Sequence, residues 1–308
     1  MQNIYEVQSS NKRRSTLIVI LFFIFISLVI YVLSRAISVY MGYEMGGLGF
    51  IGLALIISGI SSFASYWYSD KIVLAISSAH PADRNKNFDF YTVAENLSLG
   101  AGLPKPKLYV IEDTAPNAFA TGRDPDHAVI CATTGLLDKL DRSELEGVIA
   151  HELTHVKNYD TRLLSIVSVM VGLVALLADW FLRMSWHSRS RDRDKGGFGA
   201  VILILGMIFA ILSPIIAQLI QLAISRRREF WADAGSVSLT RQPSGLITAL
   251  KKISIDREPL EAANKATAHL YIVNPFKQEI KSAVGMFANL FNTHPPIEER
   301  IKELVKMS

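Results

Sequence analysis

Cysteine is almost missing. The 308 residues hold one, Cys131, so neither an internal disulfide nor a cysteine-based metal cluster can be built. Charge is missing locally: Asp, Glu, Lys and Arg are absent from segments 15–34, 45–69, 163–178 and 196–225. The charged residues are confined to the remainder, which excludes a simple water-soluble globule. Internal repeats and low-complexity tracts are absent too. The net charge of +4 is small, and its basic clusters flank the apolar segments. They read as lipid-headgroup anchors, with no nucleic-acid partner expected.

A transmembrane helix needs about 20 mainly apolar residues. The first, second and fourth segments meet that length, and the third reaches it only by running through Asp179 to Leu182. Lys12, Arg13 and Arg14 precede the first run like the basic part of a secretory signal. That run is too long for a cleaved peptide, so a retained signal anchor is expected. Gly42, Gly46, Gly47 and Gly49 mark a tight hairpin between spans one and two.

The organisation expected is a polar tail at 1–14, a membrane hairpin at 15–69, a soluble region at 70–160, a second hairpin at 161–225, and a second soluble region at 226–308. In the first soluble region, a helix from Phe88 should end at Gly100 and Gly102. Strands are expected at 107–111, 117–121 and 127–132. A helix should start at Asp141, with Glu144 three residues on as a variant capping box. Leu145, Val148, Ile149, Leu153 and Val156 then share its inward face. Further helices are expected at 225–239, at 243–255 and, begun by Pro295-Pro296, at 296–307.

The chemistry concentrates in His151-Glu152-Leu153-Thr154-His155. On a helix, residues i and i+4 lie on one face, so both imidazoles can reach one ion. Zinc suits them, with three protein ligands and an open position for water. Glu152 stands where it can take a proton from that water. None of the other histidines continues an extended three-histidine spacing. The better third ligand is Glu229, in Arg226-Arg-Arg-Glu-Phe-Trp-Ala-Asp233. Glu229 and Asp233 are also at i and i+4. Asp233 can then accept a hydrogen bond from a ligand imidazole and fix its tautomer.

This His-Glu-x-x-His followed far downstream by Glu-Phe-x-Ala-Asp resembles the membrane zinc metalloproteases of the HtpX and CAAX prenyl protease superfamily. The four-segment layout is most similar to the bacterial HtpX branch. Asn117-Ala-Phe-Ala-Thr-Gly122, His151 to Asp160 and Thr293-His-Pro-Pro296 extend the likeness over nearly the whole chain. It implies an α+β zincin-like (gluzincin) domain, mostly helical with a small sheet, joined to about four transmembrane helices. It also implies one Zn2+ per subunit and peptide-bond hydrolysis with Glu152 as base. His294 and Arg300 become candidates to approach the site. His294 is either an oxyanion donor or a packing histidine before a proline-started helix. Asn117 is either a substrate contact or plain strand. Implied substrates are misfolded or damaged membrane proteins. The alternatives are processing of lipid-modified carboxyl-terminal peptides and a non-catalytic zinc adaptor.

Ligands on both sides of 163–225 must meet at one ion, so the chain crosses the membrane an even number of times between them. Both termini and the active site then share one face. Basic residues at 12–14, 71 and 226–228 assign it to the cytoplasm of a bacterial inner membrane. The basic loop at 183–195 disagrees, which leaves a re-entrant second hairpin open.

Overall fold

The computed structural model describes residues 4–41, 55–57, 59–60, 63–64, 66–170, 172, 226–263, 267–275 and 295–308. In chain order, α1 is Ile4–Met41, α2 Ser69–Ile76, β1 His80–Pro81 and α3 Phe88–Ala101. There follow β2 Lys107–Ile111, β3 Ala118–Thr121, β4 Val129–Thr133, α4 Thr134–Lys139 and α5 Arg142–Lys157. The last three are α6 Arg226–Thr240, α7 Pro243–Ile255 and α8 Ile297–Val305. The result is mostly helical with one small mixed sheet.

The sheet order is β1-β2-β4-β3. β2 runs parallel to β4, while β1 and β3 pair antiparallel to their neighbours, with Ala118 opposite Ala132 and Thr121 opposite Val129. β3 is therefore an outer strand. β1 went unforeseen because two residues carry no alternation to read.

Two helix ends near the site have a local cause. Asp141 accepts from the Glu144 N–H while the Glu144 side chain takes the Asp141 N–H, so the capping box forms in full. α3 stops where Gly102 turns left-handed at φ 66°, a conformation that glycine adopts without the Cβ penalty.

Helix α5 is the hub, with α3, α6, α7 and β3 packed against it. Leu145, Val148, Ile149, Leu153 and Val156 are all buried in one core with β-strand, α7 and α8 residues. The two soluble regions are thus halves of a single body. Close helix approach needs small residues: a Cβ on Gly147 would lie 2.6 Å from the Leu246 backbone nitrogen. Gly147→Val is accordingly expected to cost about 3 kcal/mol, the upper range of overpacking. Thermal unfolding measures it, and an unchanged midpoint would refute the packing argument.

Residues 1–14 were expected as a polar tail. From Ile4 they are the opening turns of α1, continuous with the apolar run. No Gly or Pro stands between residues 4 and 41 to break the helix. Among the described residues no helix is long and apolar enough to cross a membrane. The four apolar segments lie largely outside that set. Segment 196–225 is wholly outside, 45–69 and 163–178 partly so, and within 15–34 several side chains are. The basic loop at 183–195 is also outside the described residues.

Candidate metal centre

α6 lies antiparallel across α5. Ser236 Oγ donates to the Gly147 carbonyl at 2.8 Å. Gly235 faces Thr154, whose side-chain carbon would stand 2.4 Å from any Cβ there. This crossing sets the register that carries Glu229 and Asp233 to the two histidines.

The His151 and His155 Nε2 atoms are 3.2 Å apart, their rings nearly perpendicular at 85°. Glu229 closes the triangle, Oε1 at 3.5 Å from His155 Nε2 and Oε2 at 3.7 Å from His151 Nε2. Two donors on one tetrahedral ion stand about 3.3 Å apart, so these separations suit a shared cation. Among the described residues this is the one such cluster.

The other nitrogen of each ring is committed to a carboxylate. His151 Nδ1 meets Asp233 Oδ1 at 2.9 Å, and His155 Nδ1 meets Asp160 Oδ2 at 3.0 Å. With Nδ1–H donated, both Nε2 atoms point at the same spot, where a metal cation, or in its absence a proton on His155, stands between them. The donor set therefore fits a zinc-like ion. Asp160 is not among the ligands or contacts expected from the sequence. Its signal was a lone Asp five residues past His155, where the chain breaks between helices. Tyr159, at φ 60°, makes that break and turns Asp160 back toward the ring.

Arg300 of α8 is fully buried and grips Asp233 with two bonds, Nε to Oδ2 at 2.9 Å and Nη2 to Oδ1 at 2.6 Å. Its Nη1 donates to the Ile272 carbonyl at 3.1 Å and lies 3.7 Å from Glu229 Oε2. Arg228 Nη1 reaches Asp160 Oδ1 at 3.4 Å. Two guanidiniums thus face four carboxyl groups, Glu152, Asp160, Glu229 and Asp233, and the acidic excess attracts a metal cation or, without one, a proton.

The titration of the site follows. Burial and then the Arg300 charge push His151 down to about 4. Burial also acts to lower His155, but the Asp160 hydrogen bond and the Glu229 charge prevail and raise it to about 9. Burial would raise Asp233, yet Arg300 and His151 hold it at about 2. Glu152, only 2% exposed, is lifted by burial to about 7, against the pull of His155 and the Ala120 N–H.

Of the remaining expectations, His294 lies outside the described residues. Asn117 is buried and engaged elsewhere. Its Nδ2 donates to the Val273 carbonyl at 2.9 Å and its Oδ1 accepts from the Ala118 N–H, so the side chain braces segment 272–273.

The chain is similar to known proteins. Peptidase family M48 matches residues 85–308. A "Protease HtpX homolog" of Caldanaerobacter subterraneus is 41% identical over 310 residues, covering 100% of this chain and 99% of the relative. Its counterpart in Dictyoglomus thermophilum is 45% identical over 304 residues, covering 98% and 94%. Among solved structures, S. mikatae Ste24p is similar at a TM-score of 0.47 and 17% identity, over 88% of this chain and 62% of that one.

Proposed function

The chain belongs to peptidase family M48 and is a metallopeptidase, and from that premise we propose a membrane-integral zinc endopeptidase that cleaves unfolded or damaged membrane proteins. The observation that carries the reading is the convergence of His151, His155 and Glu229, each imidazole backed by a carboxylate, with buried Glu152 beside them. A purely structural metal site has no use for that fourth group.

His151, His155 and Glu229 would hold the ion. When bound, it supplies Lewis-acid polarisation of water and of the scissile carbonyl. Glu152 takes the proton from the attacking water and hands it to the departing amine. Without the ion, burial lifts its carboxyl to about 7, and a bound cation would draw it down toward the ionised form that a base needs. Asp233 and Asp160 keep each ring in the Nδ1–H tautomer, and Arg300 keeps Asp233 ionised and in place.

Substrate class follows from access. β3 is an outer strand whose Ala118 carbonyl is taken by the Ile272 N–H and whose Ala120 N–H faces Glu152, so a peptide strand added beyond Ala118 would bring its backbone to the base. β3 and the cluster are buried. An extended chain fits such a site and a folded protein does not. The apolar segments at 15–34, 45–69, 163–178 and 196–225 favour a site held at a membrane, multi-pass, with both termini and the catalytic body on the cytoplasmic face of the inner membrane.

Detergent-purified protein should cleave denatured, dye-labelled casein and spare a native, folded protein. 1,10-Phenanthroline should stop cleavage, and added zinc should restore it. Cleavage that persists through chelation, or zinc-loaded protein that cleaves nothing, would overturn the reading.

A further inference from the structure

We propose that Asn11, ahead of the first apolar run, is a positioning residue of the metal centre. It fixes His155 through Asp160 and makes completion of the site depend on docking of α1. The inference rests on the metal-centre reading above and extends it to a part of the chain without ligand or base.

Asn11 is 3% exposed. Its Nδ2 donates both hydrogens, one to the Asn158 carbonyl at 2.9 Å and one to Asp160 Oδ1 at 2.8 Å. Asp160 Oδ2 takes the His155 Nδ1–H. The carboxylate is therefore held at both ends, by Asn11 on one oxygen and the imidazole on the other. Arg228 also reaches Oδ1, at the longer 3.4 Å. A carboxylate pinned in this way cannot rotate, and the ring it orients cannot turn its Nε2 away from His151 and Glu229.

The neighbours of Asn11 show a built contact. One turn earlier, Gln8 Nε2 donates to the Lys157 carbonyl at 2.9 Å. Lys12 Nζ sits 4.1 Å above the ring of Tyr159. Ser15 is fully buried on the same face. The last carbonyls of a helix lack partners within it, and at the end of α5 the side chains of α1 supply those of Lys157 and Asn158. A C-cap alone would need only the carbonyl contacts. The bond to Asp160 is what links α1 to the metal ligand. Since α1 is unbroken, the helix that sets the register of Asn11 also carries the apolar run 15–34. A chain whose first apolar run is misplaced would then hold its metal poorly.

The test uses full-length, detergent-solubilised protein. The zinc dissociation constant is measured by competition with a chromophoric chelator, together with the visible absorption of the cobalt(II)-loaded protein. Asn11→Leu should weaken zinc about 10-fold, the low end for groups supporting a ligand, and should alter the cobalt bands. Asn11→Asp, nearly the same shape, should weaken it at least as much by facing Asp160 with a second carboxylate. Both variants lose buried hydrogen bonds and should unfold at lower temperatures without metal, so the deciding readout is the cobalt bands of the folded, metal-loaded protein, which a purely structural role would not move. The proposal is overturned if both variants bind zinc within about twofold of wild type with unchanged cobalt bands. If Asp160→Asn loosens zinc in the same assay, Asn11 alone is misassigned. If wild type itself binds no zinc, the metal-centre reading fails instead.

Discussion

Glu152→Gln is expected to lower kcat by about 10³- to 10⁴-fold, the upper range for a lost general base, while zinc content stays at the wild-type value. The substitution keeps the shape of the side chain and removes its basicity. Glu152 is not one of the three converging donors, whose Nε2 and carboxylate atoms lie on His151, His155 and Glu229. Its neighbourhood instead prepares it to exchange protons. Burial lifts the carboxyl to about 7, and the Ala120 N–H holds it toward the outer edge of β3. A neutral amide at this point removes a buried negative charge, so the folded state should not suffer and thermal stability should hold or rise slightly. Metal analysis and turnover of denatured casein, measured on the same preparation, separate the two effects. If Glu152→Gln cleaves at the wild-type rate, the base lies elsewhere. If it loses zinc, Glu152 belongs to the ligand set.

The elements that bring the site together were legible where the governing interaction is local. The spacing of His151 and His155, the Asp141–Glu144 box and the inward stripe of Leu145, Val148, Ile149, Leu153 and Val156 are short-range patterns, and each appears where expected. So does the α6 pair Glu229 and Asp233, because i and i+4 share a face on any helix. What escaped depends on contacts between distant parts of the chain. Asp160 backs His155 only because Tyr159 adopts a positive φ, which nothing around 158–160 signals. Asn11 lies 149 positions from Asp160 along the chain. The bond from Asn117, read as either a substrate contact or plain strand, to segment 272–273 is of the same kind, because the path of that segment was unreadable in advance. Arg300 was expected near the site, but not as the buried clamp on Asp233.

Glu229→Ala should abolish metal retention, weakening zinc by more than about 100-fold, since the loss of an outer-shell partner alone costs 10- to 100-fold. The reasoning is geometric. His151 and His155 come from one helix and contribute two donors on one side; Glu229 is the group that the crossing of α6 over α5 brings to complete the set. Without its carboxylate the pocket also loses one of four carboxyl groups, while the two guanidiniums of Arg228 and Arg300 remain. Attraction for a divalent cation falls on both counts. A second readout follows from linkage. A ligand present at about 1,000 times its dissociation constant stabilises the folded state by about 4 kcal/mol. Zinc should therefore raise the unfolding temperature of wild type and leave that of Glu229→Ala unmoved. Asp233→Asn serves as the graded control. It leaves all three donors in place but weakens the hold on His151, so zinc should loosen without being lost. Stoichiometric zinc in purified Glu229→Ala would show that another side chain completes the site, and the union of the two soluble regions around one ion would lose its basis.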